Sequence, residues 1–380
     1  MSSDENGIVV IGGGCIGLAT AWQLAEQGAS VTLLEAGPIL GRPGNVAPRG
    51  QASWASAGML APLAETSSHS PLLALGAASL ELYPAFMRDL SAASGVEIGL
   101  QKPGILRLAL NAEEGASLSG HFTWQQKIGL PLEWIEQKDV RRIEPALAED
   151  VGPGLLSPEE HFVGPRDLLR SLGRACSRRG VRLFDHRPAT GFQATADRVT
   201  SVQTPGGDVP CDQVVLACGT WNGQLAARLG VNLEIKPIRG QIVALQSRQA
   251  LSHTIYTHDG YLVPWPSGRT LVGSTQDDSG FDSKPTVEGV QKLLAFAARV
   301  VPMLASAHVQ TAWAGLRPGS PDNLPILGCA PGWENVHLAA GHFRNGVLLT
   351  PITAKLMAAW ILNRTDDPLF AGVEPGRFSA

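Results

Sequence analysis

A chain of 380 residues, 44% of them apolar and 17% charged, has enough apolar surface for a sizeable core; this excludes intrinsic disorder, and the length suits two domains of ordinary size. The net charge of −4, from 30 Lys plus Arg against 34 Asp plus Glu, leaves no basic excess for a phosphate backbone and excludes a dedicated nucleic-acid binder. Five cysteines (Cys15, Cys176, Cys211, Cys218 and Cys329) contain no CxxC, which excludes a disulfide framework or a zinc site and reads as buried thiols of a reducing compartment.

The chain begins with MSSDENG, which is polar and acidic and does not read as a signal peptide. IVVIGGGCIGLAT is broken by glycines and too short to span a bilayer, so a soluble, cytoplasmic protein is expected. Ile8 to Ile11 is a β-branched run of the kind found in buried parallel strands. Gly12-Gly13-Gly14-Cys15-Ile16-Gly17 follows, a GxGxxG, and then LATAWQLAEQG at helical spacing with Gly28 as its C-cap. A second strand, Ser30 to Leu34, ends in Glu35. In such a βαβ unit Gly12 allows the tight turn, Gly14 admits a pyrophosphate and Gly17 packs helix on strand. The helix N-terminus offers unpaired N–H groups to the phosphates, and Glu35 is placed to accept from a ribose hydroxyl. That acid disfavours a 2′-phosphate and leaves FAD or NAD.

The remaining elements favour FAD. A nicotinamide domain would alternate strands and helices without a break through about 150 residues. Instead a long Pro/Gly loop leads to QASWASAGMLAP, then a helix from about Pro71 to Leu90, strands near 104–110, a helix near 166–179 and the strand VRLFD at 181–185. DQVVLACGTWNG, 212–223, is a buried strand running into a glycine turn. YLVPWPSGRTLVGSTQ reads as a hairpin with Ser267-Gly268 as a two-residue turn, placing Tyr261 opposite Ser274 and setting Asp259, Tyr261, Ser274 and Gln276 on one face. In AWAGLRPGSPDNLPILG, Arg317 requires solvent or an anion, with Asp322 the first internal candidate. The last segment, VHLAAGHFRNGVLLTPITAKLMAAWIL, is strand, glycine turn and helix. The helix starts near Gly346, with Pro351 tolerated about one turn in or at the first helical position, and its positive end would favour reduced flavin. A nucleotide domain assembled from separated pieces suits a two-domain flavoenzyme.

Taken together, GIVVIGGGCIGLATAWQLAEQGASVTLLEAG, ASWASAGMLAP, VVLACGTWNG, YLVP with LVGST, AWAGLRPGSPDNLPILG and AAGHFRNGVLLTP resemble the D-amino-acid oxidase superfamily, and within it the glycine oxidases of thiamine biosynthesis. The motifs span the chain in family order. The resemblance implies an α/β protein: a Rossmann-type FAD-binding domain (1–95, 155–230 and 311–380) and a substrate domain with a large antiparallel sheet (96–154 and 231–310). It implies non-covalent FAD and a homo-oligomer, commonly a homotetramer. The implied reaction takes glycine, sarcosine or D-amino acids and O2 to an imine, then to glyoxylate or a 2-oxo acid with ammonia and hydrogen peroxide, by hydride transfer to the flavin.

Carried over by motif, Arg317 would bind the substrate carboxylate with Tyr261 donating to it, and Arg344 would lie near flavin and entrance, with Gln276 and Asp259 completing the pocket. FAD would be held by Gly12, Gly14, Ile16, Gly17, Glu35, Ala36, Ser53, Trp54, Ala57, Gly58, Met59, Gly219, Gly341, His342, Arg344, Asn345, Gly346 and Val347. Departures from the pattern are Gln276 in place of Met or Leu, Asp259 in place of His, and a longer loop from Ile39 to Gln51. His253, His258 and His342 read as structural or exposed side chains, and no spacing suggests a metal. Rival readings are a flavin-dependent D-amino-acid dehydrogenase passing electrons to a quinone, an NAD-dependent dehydrogenase, and a non-catalytic FAD-binding subunit.

Overall fold

The computed structural model describes residues 7–39, 50–66, 68–129, 131–247, 251–266 and 268–378; most of the 39–51 loop therefore lies outside the described residues. Ile8–Ile11 is apolar throughout because both faces of its sheet are covered. Ile8 and Val10 enter the core beneath the helices, while Val9 and Ile11 enter the core beneath a small sheet of Gly191–Thr195, Arg198–Gln203 and Val209–Pro210. The six-stranded sheet runs in the order Ile326–Cys329, Val336–Ala340, Gln213–Leu216, Ile8–Ile11, Val31–Leu34, Arg182–Phe184. All neighbours are parallel except the first pair. Helices Cys15–Glu26, Pro71–Ser94, Pro165–Arg178 and Thr350–Asn363 pack against one another on one side of it. Strands from four separated parts of the chain thus make one nucleotide-binding type of sheet, as the interrupted pattern implied.

The second large sheet has nine strands in the order Asp277–Asp278, Lys236–Gln246, Arg269–Gly273, Tyr261–Trp265, Thr254–Tyr256, Ile105–Leu108, Gly154–Ser157 and Glu133–Ile135, with His308–Gly319 also paired to Lys236–Gln246. Its pairs are antiparallel apart from Thr254–Tyr256 against Ile105–Leu108. Period two divides it: Leu262, Val272 and Val243 pack on helix Val287–Val300, and Tyr261, Val263 and Leu271 face the other way. Gly154–Ser157 and His308–Gly319 belong to this sheet, although 155–230 and 311–380 were expected on the nucleotide side. The twelve-residue His308–Gly319 reaches both sides: it pairs with the large sheet while Trp313 donates to the Ala55 carbonyl at 2.8 Å.

The hairpin differs from the expected register. Trp265 pairs with Arg269 and Tyr261 with Gly273, so three residues separate the strands; Ser267, half of the expected turn, lies outside the described residues. Gly268 has φ of +73°, the left-handed residue that closes a three-residue hairpin loop. The one-residue slip sets Gly273, not Ser274, opposite Tyr261, and the strands begin at Tyr261 and end at Gly273, so Asp259 falls in an exposed turn before them and Gln276 is exposed beyond them; the four-residue polar face does not form.

Candidate active site

Residues from both sheets line a cavity of about 910 Å³, at the upper end of what small-molecule sites reach. At one end stands the glycine turn. Gly12 has φ of +118°, and a Cβ on Gly17 would lie 1.9 Å from the Gly12 carbonyl oxygen, so helix Cys15–Glu26 sits directly on the turn. Gly14 caps that helix without a side-chain cap and no acid stands in the first turn, leaving the positive end open to an anion. Ser53 accepts from the Cys15 N–H at 3.1 Å. Glu35, one residue past Val31–Leu34, accepts from the N–H groups of Gly13 and Gly37, each at 2.7 Å, and from Gln51 at 3.2 Å. A carboxylate offers about four acceptor sites, so capacity remains for a hydroxyl. A long cavity with a glycine turn, an open helix N-terminus and an acid after the second strand fits FAD.

Most residues assigned to the cofactor from sequence line this cavity: Gly12, Gly14, Ile16, Glu35, Ala36, Ser53, Ala57, Gly58, Met59, Gly219, Gly341, His342, Arg344, Asn345, Gly346 and Val347. Gly17 stands behind the turn as a packing residue. Trp54 is not among the lining residues: its side chain is buried, edge-on to Trp313 at 6.4 Å, with the Arg166 guanidinium 3.6 Å above its ring. Helix Thr350–Asn363 also starts one turn later than Gly346. Pro351 has no N–H to give Val347, whose carbonyl instead accepts from the Thr350 N–H at 3.2 Å and from the Tyr83 hydroxyl. His342 lines the cavity with its ring held by Thr353 at 3.0 Å, and burial pushes its pKa down to about 3.

At the other end lie Arg317 and Tyr261. Arg317 donates to the Thr275 carbonyl at 3.1 Å and to Ser274 Oγ at 2.6 Å. Among the described residues no carboxylate comes within ion-pair distance of it; Asp322, the internal candidate, is held by Arg377 at 2.8 Å. Burial lowers the Arg317 pKa, with the Arg344 charge acting in the same direction, yet an arginine stays protonated. An uncompensated guanidinium facing a cavity is set to take an anion from it. Tyr261 is buried, and burial raises its pKa despite the nearby Arg317, so its hydroxyl is a neutral donor. Asp259 and Gln276 lie outside the cavity lining because both fall beyond the ends of the hairpin strands.

Glu65 and Tyr256 occupy this end instead. Arg344 forks onto Glu65, Nε to Oε2 at 2.8 Å and Nη2 to Oε1 at 3.0 Å, and Nη2 also donates to the Tyr256 hydroxyl at 3.0 Å. Glu65 lies 279 residues from Arg344 in sequence, and no local pattern marks it. Gly240 and Gly273 were missed for the same reason: each lies beneath a site side chain across a strand pair.

Residues 7–360 match the family described as "FAD dependent oxidoreductase" (DAO). The chain is 34% identical over 355 residues to a glycine oxidase of Geobacillus kaustophilus, covering 92% of this chain and 91% of that protein. It is 35% identical to a bifunctional ThiO/ThiG protein of Trichormus variabilis, covering 98% of this chain and 55% of that one. A crystal structure of glycine oxidase from Geobacillus kaustophilus superimposes with a TM-score of 0.89 at 33% identity, covering 95% of each chain. The glycine turn, the acid that follows it and the two sheets around one cavity are therefore those of an FAD-dependent enzyme, and the chain belongs to the DAO family of FAD-dependent oxidoreductases.

Proposed function

We propose that the enzyme oxidises glycine and other small amines and amino acids, sarcosine and D-amino acids among them, with O2 as acceptor. The products are an imine, then glyoxylate or another 2-oxo acid, ammonia and hydrogen peroxide. The observation that carries this reading is Arg317: a half-buried guanidinium that faces the cavity with two internal acceptors and, among the described residues, no carboxylate. Its fork matches a carboxylate in two bonds, and Tyr261 adds a neutral donor beside it. Bound FAD would supply the two-electron acceptor for the hydride leaving the substrate α-carbon and the link from there to O2. The chain's own residues orient the substrate and keep water from it. His342, kept neutral by burial and bonded to Thr353, is not placed as the base for the substrate amine; hydride transfer requires that amine in its neutral form. Glu35, the 12–17 turn and the 53–59 and 341–347 segments are the proposed cofactor contacts, non-covalent throughout. Glycine oxidases and ThiO/ThiG proteins among the relatives support a role in supplying the imine used for the thiazole of thiamine. We further propose a cytoplasmic homotetramer; among the described residues no helix is long and apolar enough to cross a membrane.

The test compares glycine with a simple alkylamine on wild type, Arg317→Ala, Arg317→Lys and Tyr261→Phe, reading peroxide and oxygen uptake. Two charge-assisted hydrogen bonds of roughly 1.5–3 kcal/mol each imply a loss in glycine kcat/KM on the order of a hundredfold or more for Arg317→Ala. Arg317→Lys recovers part of it and Tyr261→Phe loses less, while the alkylamine is comparatively unaffected. Glycine kinetics within about twofold of wild type in Arg317→Ala, or equal damage to both substrates, would sink the carboxylate role. Turnover only with added quinone would instead establish a dehydrogenase.

A further inference from the structure

Three arginines line the cavity, Arg228, Arg317 and Arg344; of the last two, which stand together, a carboxylate among the described residues pairs with only one. Arg317 has none; Arg344 is matched in two bonds by Glu65. This is not a loose surface pair. The Glu65 side chain is 10% exposed against 33% for Arg344, and the loop that carries Glu65 is clamped from below. The Leu63 N–H is held by the buried Glu160 at 2.6 Å, and the Leu63 carbonyl accepts from Arg107 at 3.1 Å and Gln125 at 3.0 Å. The Glu65 N–H is bonded to Ala61, and Thr66 Oγ1 to the Pro62 carbonyl at 2.7 Å. Tyr256 completes the arrangement, its hydroxyl accepting from Arg344.

We infer that Glu65 is a specificity residue: it stands on Arg344 where the second carboxylate of a dicarboxylic amine would bind, so the cavity favours amines with one carboxylate over N-carboxymethyl amines with two. The inference rests on the reading of Arg317 as the place of the first carboxylate. Planar guanidinium and carboxylate meet in two parallel bonds; Glu65 takes the Nε and Nη2 edge of Arg344 and Tyr256 takes the other Nη2 N–H, so only Nη1 is left and no second carboxylate can be held in that geometry. A dianion must either expel Glu65, whose clamped loop leaves it little water to retreat to, or set its second charge beside Glu65 unpaired. A monoanion meets neither cost. Without the Glu65 carboxylate, this end of the cavity would present two guanidiniums with neutral partners only, a complement for two carboxylates separated by a short linker.

The experiment uses FAD-loaded enzyme and two non-oxidisable ligands that differ by one carboxylate, methoxyacetate and diglycolate, titrated by calorimetry. The diglycolate-to-methoxyacetate affinity ratio is expected to rise tenfold or more in Glu65→Gln. It should rise likewise in Glu65→Ala, which cannot bond Arg344 at all, and return to the wild-type value in Glu65→Gln/Arg344→Gln. A ratio within twofold of wild type in both Glu65 variants, or a gain that survives in the double variant, overturns the inference. Arg317→Ala separates the two readings. If methoxyacetate binding does not weaken at least tenfold there, the carboxylate role of Arg317 fails and this inference with it. If it does weaken while the Glu65 ratio stays put, only the inference fails.

Discussion

The guanidinium of Arg317 lies flat on Gly240 of the neighbouring strand, where a Cβ would come within 2.2 Å of both terminal nitrogens and 2.3 Å of Cζ. Gly273 does the same for Tyr261, whose ring would meet a Cβ at 2.3 Å. Two glycines thus set where the two polar side chains stand, and a methyl at either position acts on the site more than on the fold. In Gly240→Ala the obstructing atoms are the far end of a flexible side chain, so Arg317 can swing aside at modest cost in stability. It then loses Ser274 and Thr275 and its aim into the cavity. Thermal midpoint and FAD content are expected to stay close to wild type, while kcat/KM for glycine falls on the order of tenfold or more, about 1.4 kcal/mol or above. A kcat/KM within twofold of wild type would show that the guanidinium does not need this seat.

Helix Pro71–Ser94 shapes the site without lining it at these positions. Its start at Pro71 was expected from sequence, whereas it runs past the expected end at Leu90 to Ser94, where the left-handed Gly95, with φ of +66°, closes it. What it does for the cavity is not readable. Tyr83 donates to the Val347 carbonyl and Ser79 to the Leu348 carbonyl at 2.6 Å, satisfying the turn that Pro351 leaves short of a donor. Tyr83 is fully buried, so Tyr83→Phe leaves the Val347 carbonyl with the Thr350 N–H at 3.2 Å as its remaining donor. The expected cost is that of one lost hydrogen bond, about 0.5–1.5 kcal/mol of stability, read as a lower urea midpoint of the FAD-loaded enzyme with an unchanged m-value. An unmoved midpoint would mean that the turn holds itself. The hairpin teaches the complementary lesson. Its strands followed from alternation, but its register depended on a left-handed Gly268, and the strands stop at Tyr261 and Gly273, short of Asp259 and Gln276.

Across the molecule, Glu160 couples the loop that carries Glu65 to the pH. Burial raises its pKa to about 7, against the opposing influence of Arg107, the Leu63 and Ala64 N–H groups and Ser157. The folded state therefore keeps the proton up to about 7, whereas the unfolded chain releases it near the ordinary value of 4.5. Between those values the folded state binds more protons, so stability falls as pH rises: the contribution is whole below about 4.5 and lost above about 7. A shift of this size corresponds to about 3 kcal/mol. Glu160→Gln keeps an acceptor for Leu63 and never ionises. The difference in thermal midpoint, variant minus wild type, should accordingly be more positive at pH 8 than at pH 5. Equal differences at the two pH values would show that Glu160 does not titrate in this range.

Several features were set by sequence alone, because they depend on neighbours along the chain. Those neighbours are the apolar run before GxGxxG, the helix after it and Glu35 at the end of the next strand, all within 28 residues from Ile8 to Glu35. That span sufficed for a dinucleotide site, and the scattered pieces that followed favoured FAD. Arg317 and Tyr261 were marked as candidates by motif, although the geometry around them was not. Tertiary structure decided what depends on distant partners. Arg317 was left without a carboxylate because Arg377 took Asp322, and Arg344 was neutralised by a glutamate 279 residues away. Trp54 was turned into a hydrophobic contact by Trp313 and Arg166. Local spacing can put side chains on a common face, but it cannot say which charge meets which across a fold, since that follows from strand order and register, and the charges of an active site are the ones such long-range pairing leaves unmatched.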